Sequence, residues 1–347
     1  MLDQNTDRMW YVIGAVLIGA AIIFGMNTMM PNAFASVGES FKDISEKAMS
    51  VIENMDLSAK EKAYQEWLEN PEQYVMATDA DFTGDKNGSF RYVGSDKFVE
   101  IPHTIKGVAV TSYSYMFTNT DVKGVRSTNP NVNDMRMMFY TNSAPFIDVS
   151  QINVSGVDNM NGMFFKTNAV VLHGVEDFNT EKVTNMHRMF SETDVQELDI
   201  SKYNMDNVVD LGGFLYDSKV KRVNMSSINT AKVTNFNHMF ANTNLEEYSI
   251  SHFNMNSAKN NWYLFLNVKT DHLDISNMTS PESLETINNM LEGTQISTVD
   301  MSGFTFRDGI DMTEFVKNAK IGKIYVKSQA DANFLKEFVG DIEVIVK

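Results

Sequence analysis

The sequence predicts an α/β solenoid: a right-handed coil with one short parallel strand and one short helix in each repeat of about 25 residues. Two recurring tracks and one compositional bias predict it. The first track is VTNMHRMF (183–190), which returns as VDNMNGMF (157–164), VTNFNHMF (233–240) and, less closely, SAKNNWYLF (257–265). Aligned on its last residue it gives Phe117, Phe139, Phe164, Phe190, Leu215, Phe240, Phe265, Leu291 and Val316, at steps of 25 or 26 after a first step of 22. The second track, IDVS, LDIS, VNMS, YSIS, LDIS, VDMS and IYVK, keeps the same step. The bias is 35 Asn and 24 Met in 347 residues. Asn side chains satisfy turn backbones, and flexible thioethers fill many equivalent core niches.

Residues 1–35 form a hydrophobic segment. No charged residue lies between Arg8 and Glu39, and Trp10 to Met26 is almost wholly apolar. A helix of that length reaches the roughly 30 Å hydrocarbon thickness, so residues 10–30 read as a membrane anchor. The alternative is a signal peptide cleaved near Ala35, after the small residues of Ala33-Phe34-Ala35, but the leading segment has one Arg against two Asp. Residues 36–75 read as a helical neck. Phe41, Ile44, Ala48, Val51 and Met55 make an a/d stripe, and Ser58 with Glu61 opens a capped helix that ends at Pro71. Over 76–110 an N-terminal cap is expected, with FRYVGSDKFVEI (90–101) as two short strands around a Gly-Ser-Asp turn.

The repeats occupy 111–327. In LDIS, Leu198 and Ile200 point to the core while Asp199 and Ser201 point out. Met186, Met189 and Phe190 have helical spacing, and segments such as FNTEKVT (178–184) are turns whose Asn bonds the next coil. About nine coils would make a spine of roughly 40 Å. A C-terminal cap fills 328–347: a helix over Ala330–Phe338 and a last strand over Ile342–Val346. No second hydrophobic span follows, so any tether is expected at the N-terminal side.

NTEKVTNMHRMF followed by ELDISKYNM resembles the BspA-like leucine-rich-repeat family of bacterial surface proteins, over about residues 98–327. The resemblance implies a cell-surface protein, often of Gram-positive bacteria or mycoplasmas, associated with adhesion to host or neighbouring cells. It carries over no catalytic residue. The chain departs from the family pattern at LGGFLYDS (211–218) and NNWYLF (260–265).

The candidate binding residues are the outward strand positions Asp148, His173, Asp199, Asn224, Ser249, Asp274, Asp300 and Tyr325. A serine ladder, Ser150, Ser201, Ser226, Ser251, Ser276 and Ser302, runs two residues on. For any one of them, solvation of the sheet is the blander alternative. Lys at Asp199 and Asp274 is expected to abolish partner binding and leave the fold intact. Asp79, Asp81, Thr83, Gly84 and Asp85 mimic the start of a calcium loop, but Phe90 stands where the bidentate Glu belongs, so a structural loop is expected.

Without Cys there is no disulfide, thiolate zinc site or Cys nucleophile. The six His fall in different slots, and neither HExxH, GxSxG, P-loop nor GxGxxG occurs. The sequence therefore predicts neither cofactor, metal nor catalysis. A net charge of −16 argues against a nucleic-acid partner. The expected partners are a protein or glycan on a host or neighbouring cell, and the membrane through residues 10–30, with the solenoid facing the exterior. The alternative is a pilin-like structural subunit, assembled through the N-terminal helix with the solenoid as head.

Overall fold

A computed structural model describes residues 59–347, apart from 85–88, 249, 251–252, 260, 280 and 283. The expected anchor, the signal-peptide alternative, the a/d stripe and Ser58 lie outside the described residues. Among the described residues no helix is long and apolar enough to cross a membrane. The chain divides into two compact units, Met1–Glu66 and Trp67–Lys347. Helix α1 covers described residues 59–69 and stops before Pro71, as its sequence predicts.

The second unit is a parallel β-solenoid of about ten turns. β1 (Val75–Met76) opens the spine. β2 (Phe82–Gly84) and β3 (Phe90–Tyr92) pair antiparallel, and β4 (Phe98–Glu100) pairs parallel with β1. The hairpin expected over 90–101 is therefore divided: its first half pairs backward with β2, and its second half is a spine strand. Ladder bonding along the stack outcompetes the local turn. β5 (Thr104–Ile105) and β6 (Val108–Ala109) form a second small hairpin. The spine continues through β7 (Gly124–Ser127), β8 (Phe146–Ile152) and β9 (Val171–His173). Next come β10 (Glu197–Asp199), β11 (Arg222–Asn224) and β12 (Glu247–Tyr248). The last four strands are β13 (Lys269–Asp274), β14 (Gln295–Asp300), β15 (Lys320–Val326) and β16 (Glu343–Val346). Strand order is β1-β4-β7-β8-β9, then β10-β11-β12, then β13-β14-β15-β16.

The 25-residue step is the ladder register itself: Leu198 lies beside Val223, and Asp199 beside Asn224. Leu198 and Ile200 are buried, as their alternation predicts. The 26-residue steps absorb an extra residue in a turn. After β9 it is taken up where Gly174 adopts φ 89 and Val175–Asp177 makes one 3-10 turn.

The helix expected in each repeat does not form. Met186, Met189 and Phe190 are fully buried, but Arg188 and Glu192 adopt φ 54 and 51, in the left-handed region that interrupts any α-helix. Alternate amides instead bond across coils: Met186 to Asp210 O at 3.0 Å, Arg188 to Gly212 O at 2.9 Å, Phe190 to Phe214 O at 3.0 Å and Glu192 to Tyr216 O at 2.7 Å. Met189 and Ser191 turn back to the carbonyls of Met186 and Arg188. A helix would satisfy its amides internally and leave the coils unlinked; this conformation links them at a second edge.

Inside, aromatic rings stack along the axis. Phe139–Phe164 and Phe164–Phe190 centroids are 5.5 and 5.6 Å apart, with interplanar angles of 2° and 6°. The C-terminal end is covered as expected, by α2 (Gln329–Val339) and by β16 pairing with β15.

Candidate functional site

The D-x-S motif is first a turn device. The carboxylate Oδ1 accepts the backbone amide two residues on: Ser150 to Asp148 and Ser201 to Asp199 at 2.9 Å, Ser276 to Asp274 and Ser302 to Asp300 at 3.0 Å. Asn179, Asn185 and Asn235 do the same for Glu181, His187 and Asn237. These Asn therefore close turns within their own coils. Cross-coil bonds to backbone come from Thr180 and Thr230, which reach Asn204 O and Asn254 O at 2.9 Å, and from other Asn, such as Asn207 to Glu181 O at 2.9 Å and Asn142 to Val122 O at 3.1 Å.

The predicted outward ladder is not uniformly open. Asp148 is 1% exposed, and the Tyr74 hydroxyl donates to its Oδ2 at 2.5 Å. Trp67 packs on Phe98, Phe146 and the edge of His173, at 5.8, 5.3 and 5.9 Å. A Cβ on Gly124 would lie 2.5 Å from Phe98 Cδ1 and 2.9 Å from the Tyr74 hydroxyl, so only glycine leaves room for this cover. At the other end Asp300 is 3% exposed and takes the Lys347 ammonium, which also lies over the Tyr325 ring. Ser249 and Ser251 lie outside the described residues. What remains open is the middle, where Asp199 and Asn224 are exposed and Asp274 is half-buried. The cover had a sequence signal, since Phe98 and Phe146 are apolar residues at outward strand positions.

That middle stretch holds an open groove of about 830 Å³ between β12 and β14, lined in part by Glu246, Tyr248, Lys269, Asp271, His272 and Asp274. A second depression of about 590 Å³ lies beside it, over Glu197, Asp199, Arg222 and Asn224, and shares Tyr248. Tyr248 occupies the inward slot of Leu198 and Val223, where a phenol cannot be fully buried. Its hydroxyl donates to His272 O. By the 24-residue step that takes the Ile200 amide to Asn224 O, that carbonyl is where the amide of residue 248 would bond. Among the described residues the ladder is interrupted there, since β12 and β13 belong to different sheets. Burial pushes the Tyr248 phenol up to about 12. Arg222 bridges Glu197 and, at 3.9 Å, Glu246. Ser201 hydroxyl and amide donors hold the Asp199 carboxyl below its ordinary value.

Sequence reasoning missed Tyr248, Asp271 and His272. The YSIS segment carried the signal, a polar-tipped ring in a slot that elsewhere holds Leu, Val or Ile. In the loop beside β2, Asp81 Oδ2 accepts the Thr78 amide and hydroxyl at 2.7 and 2.8 Å, and Asp79 accepts the Lys106 amide at 2.6 Å. Those carboxylates serve the loop backbone; Asp85 lies outside the described residues. Among the described residues no group of three His, Asp or Glu could hold a metal ion.

The stacked parallel coils and the recurring turn ladder define a solenoid repeat protein. The chain belongs to the family described as "Mycoplasma protein of unknown function, DUF285", which it matches over residues 111–228 and 213–326. No curated protein and no solved structure matches it.

Proposed function

We propose that the protein is a non-catalytic recognition module of a bacterial cell surface, of the BspA-like kind, held at the membrane by residues 10–30 with its solenoid outside. Its partner is a protein or glycan on a host or neighbouring cell, and the contact is the strand-face groove around Tyr248 and His272. The observation that supports this most is the division of that face. Both ends are covered by the chain's own residues, whereas the middle is open, with charged side chains of both signs around a half-buried tyrosine. Solenoids present partners on such extended faces.

The test is adherence of beads carrying the full chain to cultured epithelial cells. The triple variant Glu246→Gln, Asp271→Asn, His272→Gln leaves every D-x-S turn intact and should lower adherence about tenfold, as loss of central interface contacts does. Lys at Asp199 and Asp274 is the poorer test, because it removes the acceptors of the Ser201 and Ser276 amides and would disturb the fold. Unchanged adherence of the triple variant, or no adherence by the parent protein, would rule the groove out.

A further inference from the structure

The turn edge carries a second feature that the strand-face reading does not use. A strip of rings and cations runs from coil to coil along it. Tyr140 stacks on Phe165 at 5.3 Å, and the Arg188 guanidinium lies over both Phe165 and Tyr216, at 5.7 and 6.0 Å. Tyr216 meets the edge of His238 at 5.9 Å, and His238 stacks on Tyr263 at 4.8 Å. Trp262, 44% exposed, stands beside Tyr263 in the same coil.

Arg188 differs from its charged neighbours. Lys166 is paired with Glu192 at 3.1 Å, Arg136 with Asp134 at 3.0 Å, and His187 with Asp210 at 3.3 Å. Arg188 is exposed and has no carboxylate partner among the described residues, in a chain of net charge −16. Its guanidinium lies within reach of two rings, which restricts where its N–H donors can go, and those donors suit a planar or tetrahedral anion. The departure LGGFLYDS makes this possible. A Cβ on Gly213 would stand 3.0 Å from Arg188 Cγ, and one on Gly212 would stand 2.8 Å from His187 Nδ1. Gly213 also adopts φ 62. This bare coil leaves room for the arginine stem beside it. Burial first, and then the charges of Arg188 and His187, lower the affinity of His238 for its proton.

We propose that this strip binds an acidic oligosaccharide, with one carboxylate-bearing sugar held in the Arg188 fork and uncharged sugars running toward Trp262. Three coils separate the two residues, about 14 Å at 4.8 Å per coil, a span suited to a few sugar rings. The average surface repels a densely charged polyanion, so the ligand carries its charge sparsely. The Trp262 indole offers its face to the C–H surface of a sugar. Asn237, in the coil between Gly212 and Trp262, accepts the Trp262 amide at 3.0 Å and keeps its Nδ2 donor for a hydroxyl.

The experiment is calorimetric titration of the full chain with a hyaluronan tetrasaccharide, in which carboxylate sugars alternate with uncharged ones. Neutral chitotetraose, a heparin tetrasaccharide and a polyglutamate peptide are the comparisons. Hyaluronan tetrasaccharide should bind best, with Arg188→Gln weakening it about tenfold or more. Trp262→Ala should weaken it several-fold, and the strand-face triple variant should bind it as the parent does. Arg188 is on the surface, so an unchanged thermal midpoint certifies the fold of Arg188→Gln; Arg188→Lys, which keeps charge without the fork, should fall between. The proposal is overturned if the parent protein does not bind, if Arg188→Gln binds equally, or if heparin or polyglutamate binds tighter, which would make the strip a general anion site or a peptide site. None of these results bears on adherence through the groove.

Discussion

At the residue scale, one side chain contradicts its surroundings. Asn261 is fully buried, and neither its Oδ1 nor its Nδ2 has a hydrogen-bond partner. The equivalent slots hold Met160, Met186, Leu211, Phe236 and Ile287, all buried and apolar. A buried polar group left unmade costs about 1–3 kcal/mol, so Asn261→Leu should raise stability by that order, measured as a higher urea midpoint; a lower midpoint would mean that the amide is satisfied. The turn carboxylates give a pH signature. Ser201 and Thr313 hydroxyl and amide donors hold Asp199 and Asp311 below their ordinary value of 3.8. A carboxyl with a depressed folded pKa binds its proton more weakly folded than unfolded. Its stabilisation is therefore full above 3.8 and fades as pH falls through the folded value. Stability should already slip as pH falls through 6.5, where unfolded His238 takes a proton that the half-buried ring resists, and drop further below about pH 4; Asp199→Asn with Asp311→Asn should make only the second drop shallower. Equal slopes would assign the acid sensitivity to other groups.

At the element scale, the strand was legible and the turn edge was not. Leu-Asp-Ile-Ser alternates, and the alternation alone put Leu198 and Ile200 inside. Met186, Met189 and Phe190 are spaced as a helix would space them, and they are buried, so the core was legible too. Their backbone was not, because an i, i+3, i+4 pattern reports which side chains face inward and leaves φ open. The missed signal was the residue at the second left-handed position: Asn119, Asn242, Asn267, Gly293 and Asn318 are types that tolerate positive φ. Thr141, φ 54, is β-branched in that slot, and Thr141→Asn should stabilise by roughly 1 kcal/mol. Phe164, sandwiched between Phe139 and Phe190, should cost about 3–5 kcal/mol as Phe164→Ala, read from the shift in the denaturation midpoint. A loss below about 1 kcal/mol would mean the ring stack matters little.

At the scale of the whole molecule, each coil is too small to bury its own apolar stripe and relies on its neighbours. The ladder of outward positions was read from the sequence as one surface. It is three regions, because Trp67 and Tyr74 cover one end and Lys347 the other. Only long-range packing decides that, and no local pattern encodes it. The chain's lack of Cys allows the stacking to be measured directly. Nitroxide labels on cysteines placed at Asn131, Lys182 and Lys232, equivalent exposed turn positions, should report pair distances by double electron–electron resonance. Two coils separate Asn131 from Lys182 and four separate it from Lys232, so the second distance should exceed the first by about 10 Å. Equal distances, or a second distance shorter than the first, would contradict a continuous parallel stack, and with it both the strand-face groove and the turn-edge strip.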